Sequence, residues 1–315
     1  MLERVKGQEE GLSYLSRVVE GVATSPLLLL GPVGVGRLFS VREAVKEAFR
    51  VTELEEDCPQ CYQVDKGIHP DCCVISPEDE DKDIKVEAVR DLLAESTVRP
   101  SLAPWKALII DGVDRMTTAS SNSLLKVLEE APDTVRFFLL AEDIQGVLPT
   151  ISSRCVTVRF GRLPEEFVVG KLCELTEDRA KALVYCRLAG GSVGRAVKFL
   201  SAGRLGVRDK MVGILKIGLL RDLQKLFAAI EDVGPNLPLG LLFLEHIVYD
   251  LIMLPHSTTL LTNLDIIPDL QRVRQGMGVD RIHKMRSELR GALSKCRGPY
   301  NLAFHVKSLM ASVFA

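Results

Sequence analysis

The sequence has no strong charge of either sign: 40 Lys and Arg stand against 42 Asp and Glu, for a formal net charge of −2. That excludes a chain-wide attraction to nucleic acid, so any DNA contact has to come from a local patch. No basic N-terminal stretch leads into an apolar segment, so no secretory signal is expected. No apolar run free of charge is long enough to span a membrane. The most apolar window, residues 237–254, carries Glu245, His246 and Asp250 and runs into Pro255. Charges there are costly in lipid, which predicts a buried helix and no membrane partner. The eight cysteines lack regular spacing. Without a signal peptide they argue for a reduced cytosol over a disulfide framework, and a soluble, cytoplasmic protein is expected.

What is present is ordinary globular composition, 47% hydrophobic and 26% charged over 315 residues, enough for two or three domains. The chain is organised around LLLLGPVGVGRL, residues 27–38. Four leucines read as a buried parallel strand, a glycine-rich loop follows, and Val41, Ala44, Val45 and Phe49 have helical spacing. Strand, glycine loop and helix make the setting of a phosphate-binding loop, G-x-x-x-x-G-K-[ST]. Gly31, Gly34 and Gly36 supply the glycine frame, but Arg37 stands in place of the lysine and Leu38 in place of the Mg²⁺-binding hydroxyl. Arginine keeps the charge without the compact ammonium, and leucine binds no metal.

A second piece fails in the same way. Ala107-Leu108-Ile109-Ile110-Asp111 is an apolar strand ending in a carboxylate, the arrangement that holds Mg²⁺ through water. The next residue, where a hydrolytic glutamate would polarise water, is Gly112, and Asp114 is placed to cap the segment that follows. Two separate losses predict a degenerate nucleotide site at Gly31, Gly34, Gly36, Arg37 and Asp111 without intrinsic ATP hydrolysis.

Around these pieces, strands at 135–140 and 156–158 alternate with helices at 1–22, 84–97 and 117–130. Ser120 or Ser121 is read as the cap of the last. The alternation predicts an α/β, doubly wound parallel sheet. Cys58-Pro59-Gln60-Cys61 is half of a zinc site, but Cys72 and Cys73 are adjacent and would point apart on a strand. The plainer reading is a loop with free or buried thiols, and His69, before a proline, reads as a turn residue. Lys85, Arg90 and Arg99 read as a solvated face. Ser153-Arg154-Cys155 ends a short turn on the domain rim. Such an arginine either reaches across an interface to a γ-phosphate or pairs with a surface carboxylate such as Glu129 or Glu142. Helical apolar patterns at 215–230, 239–254, 282–293 and 302–314 predict an all-α C-terminal region.

Taken together, several motifs resemble one family. They are GPVGVGRL, Ile68-His69-Pro70-Asp71, KALIID at 106–111, NSLLKVLEE at 122–130 and Ser153-Arg154-Cys155. The family is the clamp loaders of the AAA+ superfamily, and within it the delta-prime subunits of bacterial DNA polymerase III. The resemblance runs from about residue 2 to residue 200. It implies an AAA+ domain at 1–160, a small helical lid at 161–205 and a helical collar at 206–315. It also implies an open five-membered ring that sets a sliding clamp on primed DNA. Motor subunits of the gamma/tau type bind ATP in that ring. A delta subunit, the clamp and primed DNA are partners of the whole complex. This chain would be a non-hydrolysing stator of the polymerase holoenzyme, and Arg154 an arginine finger for a neighbour's ATP. The family's zinc module ends C-x₂-C-x₂-C; Cys58 and Cys61 fit its end and Glu55 replaces the earlier cysteine, leaving structural zinc at Cys58 and Cys61 as an expectation. The family's motors also carry a lid arginine two residues after a serine. In Ser192-Val193-Gly194-Arg195 it comes one residue later. The alternatives are an active motor, with Arg37 and Asp114 as substitutes, and a zinc-stabilised adaptor.

Overall fold

Five apolar strands share one sheet in the computed structural model, which describes residues 5–51, 58–78, 83–130, 132–294 and 301–314. Glu55 lies outside the described residues. In chain order the first compact unit contains α1 (Glu9–Val19), β1 (Leu27–Leu30), α2 (Arg37–Phe49), α3 (Pro59–Lys66), β2 (Cys72–Ile75) and α4 (Val86–Ala94). These are followed by β3 (Lys106–Asp111), α5 (Thr118–Glu129), β4 (Val135–Ala141), α6 (Pro149–Ser152) and β5 (Val156–Arg159). The unit comprises residues 1–164 together with 191–194.

The strands run in the order β2-β3-β4-β1-β5, and every pairing is parallel. Leu27 lies opposite Phe138 on one side and Val156 on the other. The pleat sends alternate residues to opposite faces. Leu27, Leu29, Ile109 and Phe138 enter one apolar core with Val41, Val45 and Phe49 of α2. Leu28, Leu30, Leu108 and Phe137 enter the other with Val89 of α4 and Leu124 of α5. Burial on both faces is why these strands read as unbroken apolar runs rather than alternating ones. Cys72 and Cys73 obey the same pleat, Cys72 in the first core and Cys73 against the second. The loops after β1, β3 and β4 all emerge at the carboxyl edge of the sheet, where α/β folds place their sites.

The cap of α5 differs from expectation. Thr117, extended at ψ 159°, accepts the Ser120 N–H at 3.2 Å, so the helix starts earlier and Ser120 and Ser121 are buried inside it. Asp114 caps nothing after it either: its carboxylate accepts the N–H groups of Glu142 at 2.9 Å and Asp143 at 3.2 Å, beyond β4. The Cys58 segment forms a helix, not a loop.

The second unit, residues 165–190 and 195–315, is helical. It comprises α7 (Glu165–Cys173), α8 (Arg179–Leu188), α9 (Val193–Ser201, its first two residues in the other unit), α10 (Leu205–Leu219) and α11 (Leu223–Val233). Then come α12 (Leu237–Met253), α13 (Ile267–Met277), α14 (Val279–Ser294) and α15 (Leu302–Phe314). The ranges expected for lid and collar both fall here, apart from 161–164 and 191–194. The apolar pattern at 215–230 is two helices, broken where Arg221 takes a left-handed φ of 57°. As expected, α12 is a core helix, with Leu241, Leu244, Ile247 and Leu251 buried. Its Asp250 is fully buried and accepts the N–H groups of Thr262 and Asn263, both at 2.8 Å. Buried Arg208 makes a two-pronged pair with Asp265, both bonds 2.8 Å.

Candidate functional site

The glycine loop between β1 and α2 is held from several directions. A Cβ on Gly31 would lie 2.3 Å from the Phe160 carbonyl oxygen, so only glycine lets the chain pass the end of β5. Gly36, with φ 100°, is the N-cap of α2 and turns the chain into the helix. Three consecutive loop carbonyls accept hydrogen bonds from distant residues. The Gln8 amide reaches Val35 at 3.4 Å, the Ser192 hydroxyl reaches Val33 at 2.8 Å and the Gly194 N–H reaches Gly34 at 2.9 Å. Gln8 also exchanges a pair of bonds with the Gly161 backbone at 2.9 and 3.0 Å. A Cβ on Gly194 would lie 2.9 Å from the Gly34 Cα, so the two backbones are packed directly together.

Arg37 follows the loop, and its side chain turns inward. The residue is buried, and Nη1 donates to the Ala141 carbonyl at the end of β4. Burial pushes the guanidinium below its ordinary range, opposed by Asp111, Asp114 and Glu142 around it. It remains a cation, because arginine does not deprotonate in proteins. Burial likewise pushes the Asp111 carboxyl up, with Arg37 pulling against it and Asp114 adding to the rise. Leu38 packs against the core on the α2 side of the sheet. At Gly112 φ is 104°, a conformation that side-chain-bearing residues rarely adopt. The structure therefore brings Gly31, Gly34, Gly36, Arg37 and Asp111 together at the carboxyl edge of the sheet. The cation there is engaged with the protein's own backbone and carboxylates.

Arg154 is placed in the opposite sense. α6 is a single turn opened by Pro149 and anchored by fully buried Ile151, and Arg154 leaves just beyond its C-cap. The side chain is 37% exposed. Nε donates to Glu129 Oε1 at 2.7 Å, Nη2 donates to the same oxygen, and Nη1 donates to the Thr150 carbonyl at 2.9 Å. Of the two carboxylates that spacing offered as partners, Glu129 pairs with Arg154, and Glu142 is a charge neighbour of Arg37.

The zinc expectation meets a different arrangement. Cys58 caps α3, its sulfur accepting the Cys61 N–H at 3.3 Å, and Cys61 Sγ donates to the Lys46 carbonyl at 3.8 Å. Burial raises the Cys58 thiol, but the hydrogen bonds it accepts outweigh that and bring it below the ordinary thiol range. Among the described residues no group of three or more His, Cys, Asp and Glu could hold a metal. His69, buried in the turn before β2, accepts the Asp71 N–H through Nδ1 at 3.0 Å and packs on Phe49. Lys85 pairs with Glu78 on the surface at 2.9 Å.

Sequence reasoning missed Gln8 and Asp71. Asp71 is fully buried and accepts the N–H groups of Ser101, Leu102 and Ala103 at 2.7–2.9 Å, fixing the loop before β3. Neither carries a periodic or motif signal, though Asp71 lies within the quoted Ile68-His69-Pro70-Asp71.

The family described as "DNA polymerase III, delta subunit" matches residues 7–164, half of the chain. The chain belongs to that family. The subunit delta' of DNA polymerase III from Escherichia coli is 28% identical over 66% of this chain, and the chain spans 63% of that relative. The Pseudomonas aeruginosa subunit delta' is 30% identical over 69% of this chain and 67% of its own length. In three dimensions, a gamma subunit-related protein of Thermotoga maritima DNA polymerase III superposes with a TM-score of 0.55 at 18% identity, covering 96% of this chain and 98% of that one. The fold is thus the α/β class expected from the sequence, a doubly wound parallel sheet with helical regions after it.

Proposed function

We propose that this chain is a non-hydrolysing stator subunit of a clamp loader in DNA replication, and that it supplies Arg154 to the ATP site of a neighbouring subunit. The observation that carries the reading is the contrast between its two motif arginines. In a working phosphate loop the cation meets the β- and γ-phosphates. Here Arg37 is buried, bonded to Ala141 and flanked by half-buried Asp111, Asp114 and Glu142, so its charge is balanced within the protein. Three loop carbonyls are fixed by Gln8, Ser192 and Gly194, and no side chain follows Asp111 to orient a water. Arg154 stands on the rim, exposed and on a short anchored turn, where it can serve a partner's phosphate.

On this reading the ATP belongs to neighbouring gamma/tau-type subunits. A delta subunit, the sliding clamp and primed DNA are partners of the assembled complex, and the complex works in the cytoplasm. Steady-state ATP turnover of the reconstituted complex, with clamp and primed DNA, tests it with Arg154→Ala against the natural chain. A finger contributes roughly 10³–10⁵-fold at one site, so turnover should fall while assembly by gel filtration stays intact. Unchanged turnover, or ATP hydrolysis by the isolated chain, would overturn the proposal.

A further inference from the structure

We infer that Glu129 is a positioning residue for Arg154, holding the guanidinium with its free edge turned outward before any neighbour arrives. The inference rests on the proposed role of Arg154 and adds a second residue to it. A guanidinium carries five N–H donors, two on each terminal nitrogen and one on Nε. Glu129 Oε1 takes the Nε donor and one from Nη2, and the Thr150 carbonyl takes one from Nη1. One donor therefore remains on Nη1 and one on Nη2. Two donors on neighbouring nitrogens match the fork with which arginine grips two phosphate oxygens.

Both ends of the hold are anchored on rigid structure. Glu129 is the last residue of α5, directly after buried Leu128 and five residues after fully buried Leu124. Thr150, whose carbonyl is the other holding point, lies inside α6 beside fully buried Ile151. Three bonds to two anchored elements fix both the plane of the guanidinium and its rotation. Unheld, a long side chain on a rim samples many rotamers, and the neighbour's active site would have to select one of them each turnover. Glu130, the next carboxylate, is exposed and is an internal control for charge alone.

The alternative meaning of the pair is a brake, in which Glu129 keeps Arg154 from the phosphate. The bonds favour positioning, because Glu129 and Thr150 leave one N–H on each terminal nitrogen for a phosphate's oxygens. An exposed pair of this kind contributes little to folding, so its removal should leave the subunit assembled.

The test is ATP turnover of the reconstituted complex with clamp and primed DNA, read as the part of turnover that Arg154→Ala abolishes. Glu129→Ala should lower that part about 10-fold in kcat, as expected for loss of orientation rather than of the finger itself. KM for ATP, assembly and thermal melting should not change. Glu129→Gln, which keeps an acceptor oxygen, should fall between, and Glu130→Gln should match the natural chain. The double variant Glu129→Ala with Arg154→Ala should be no slower than Arg154→Ala alone, since Glu129 acts only through the arginine. If Glu129→Ala leaves kcat unchanged or raises it while Arg154→Ala abolishes it, the positioning role is wrong and the finger stands. A multiplicative double variant would also refute it. If Arg154→Ala itself changes nothing, both this inference and the proposed function fall.

Discussion

Two arginines in one domain lead opposite lives. Arg37 leaves the loop after β1 and is buried, bonded to the β4 carbonyl and ringed by carboxylates. Arg154 leaves the turn after α6 and is 37% exposed, with one N–H on each terminal nitrogen left over from its bonds to Glu129 and Thr150. Chemically they are the same group, permanently charged and forked. The difference is where the strand ends put them. The carboxyl edge of the sheet gathers Asp111, Asp114 and Glu142, and a cation there neutralises the protein's own charges. On the rim after α6 the exposed carboxylate of Glu129 pairs with the arginine without enclosing it. On the proposed reading, a phosphate-binding motif keeps its position and shape while its charge turns from ligand binding to internal structure.

That comparison can be broken most severely at Arg37. Arg37→Met removes a buried cation bonded to the Ala141 carbonyl, and denaturant unfolding should show a loss of about 1–3 kcal/mol, the cost of leaving that buried acceptor unsatisfied. A variant as stable as the natural chain would mean Arg37 is not an internal partner.

Asp71 is another group committed inward, and it makes an acid test of the account. Burial raises its pKa, but three backbone N–H donors and His69 outweigh that, leaving it below the ordinary carboxylate range. A depressed folded pKa means the stabilisation is full above the unfolded value of about 3.9 and is lost as pH falls through the folded value. Asp71→Asn should cost about 1–3 kcal/mol at neutral pH. It should also flatten the fall in stability below about pH 4. An unaltered acid limb would remove Asp71 from that role.

The smallest effect is expected at Gly112. Gly112→Glu restores the residue type that hydrolysing relatives place there, but in left-handed backbone, at a cost of about 1–2 kcal/mol. No ATP turnover by the isolated chain should appear, because Arg37 and the fixed loop are untouched. Measurable turnover would show that the site lacked only its glutamate.

The sheet was legible because strands buried on both faces leave short continuous apolar runs such as VRFFLL at 135–140. Both arginines were legible from motif position. For Arg154, Glu129 was one of the two partners the spacing offered, but the inward turn of Arg37 was not legible, since it depends on Ala141, 104 residues away. α3 went unread because only Cys61 and Val64 of its eight residues are buried, too few to make a stripe. The break between α10 and α11 was hidden for the opposite reason: Leu219 and Leu220 keep the apolar pattern running through the turn. The α5 cap was misplaced because four hydroxyl residues stand at its start, Thr117, Thr118, Ser120 and Ser121, all cap formers by composition, and only backbone geometry singles out Thr117.

The most direct measurement sets the two arginines side by side in one reconstituted complex, recording ATP turnover with clamp and primed DNA and the unfolding midpoint of the isolated chain. The account predicts a double dissociation. Arg154→Ala should abolish the neighbour's share of turnover and leave the midpoint within the roughly 0.5 kcal/mol typical of surface changes. Arg37→Met should lower the midpoint and, wherever the complex still assembles, leave turnover per complex unchanged. Loss of turnover from Arg37→Met with assembly intact, or no loss from Arg154→Ala, would contradict it.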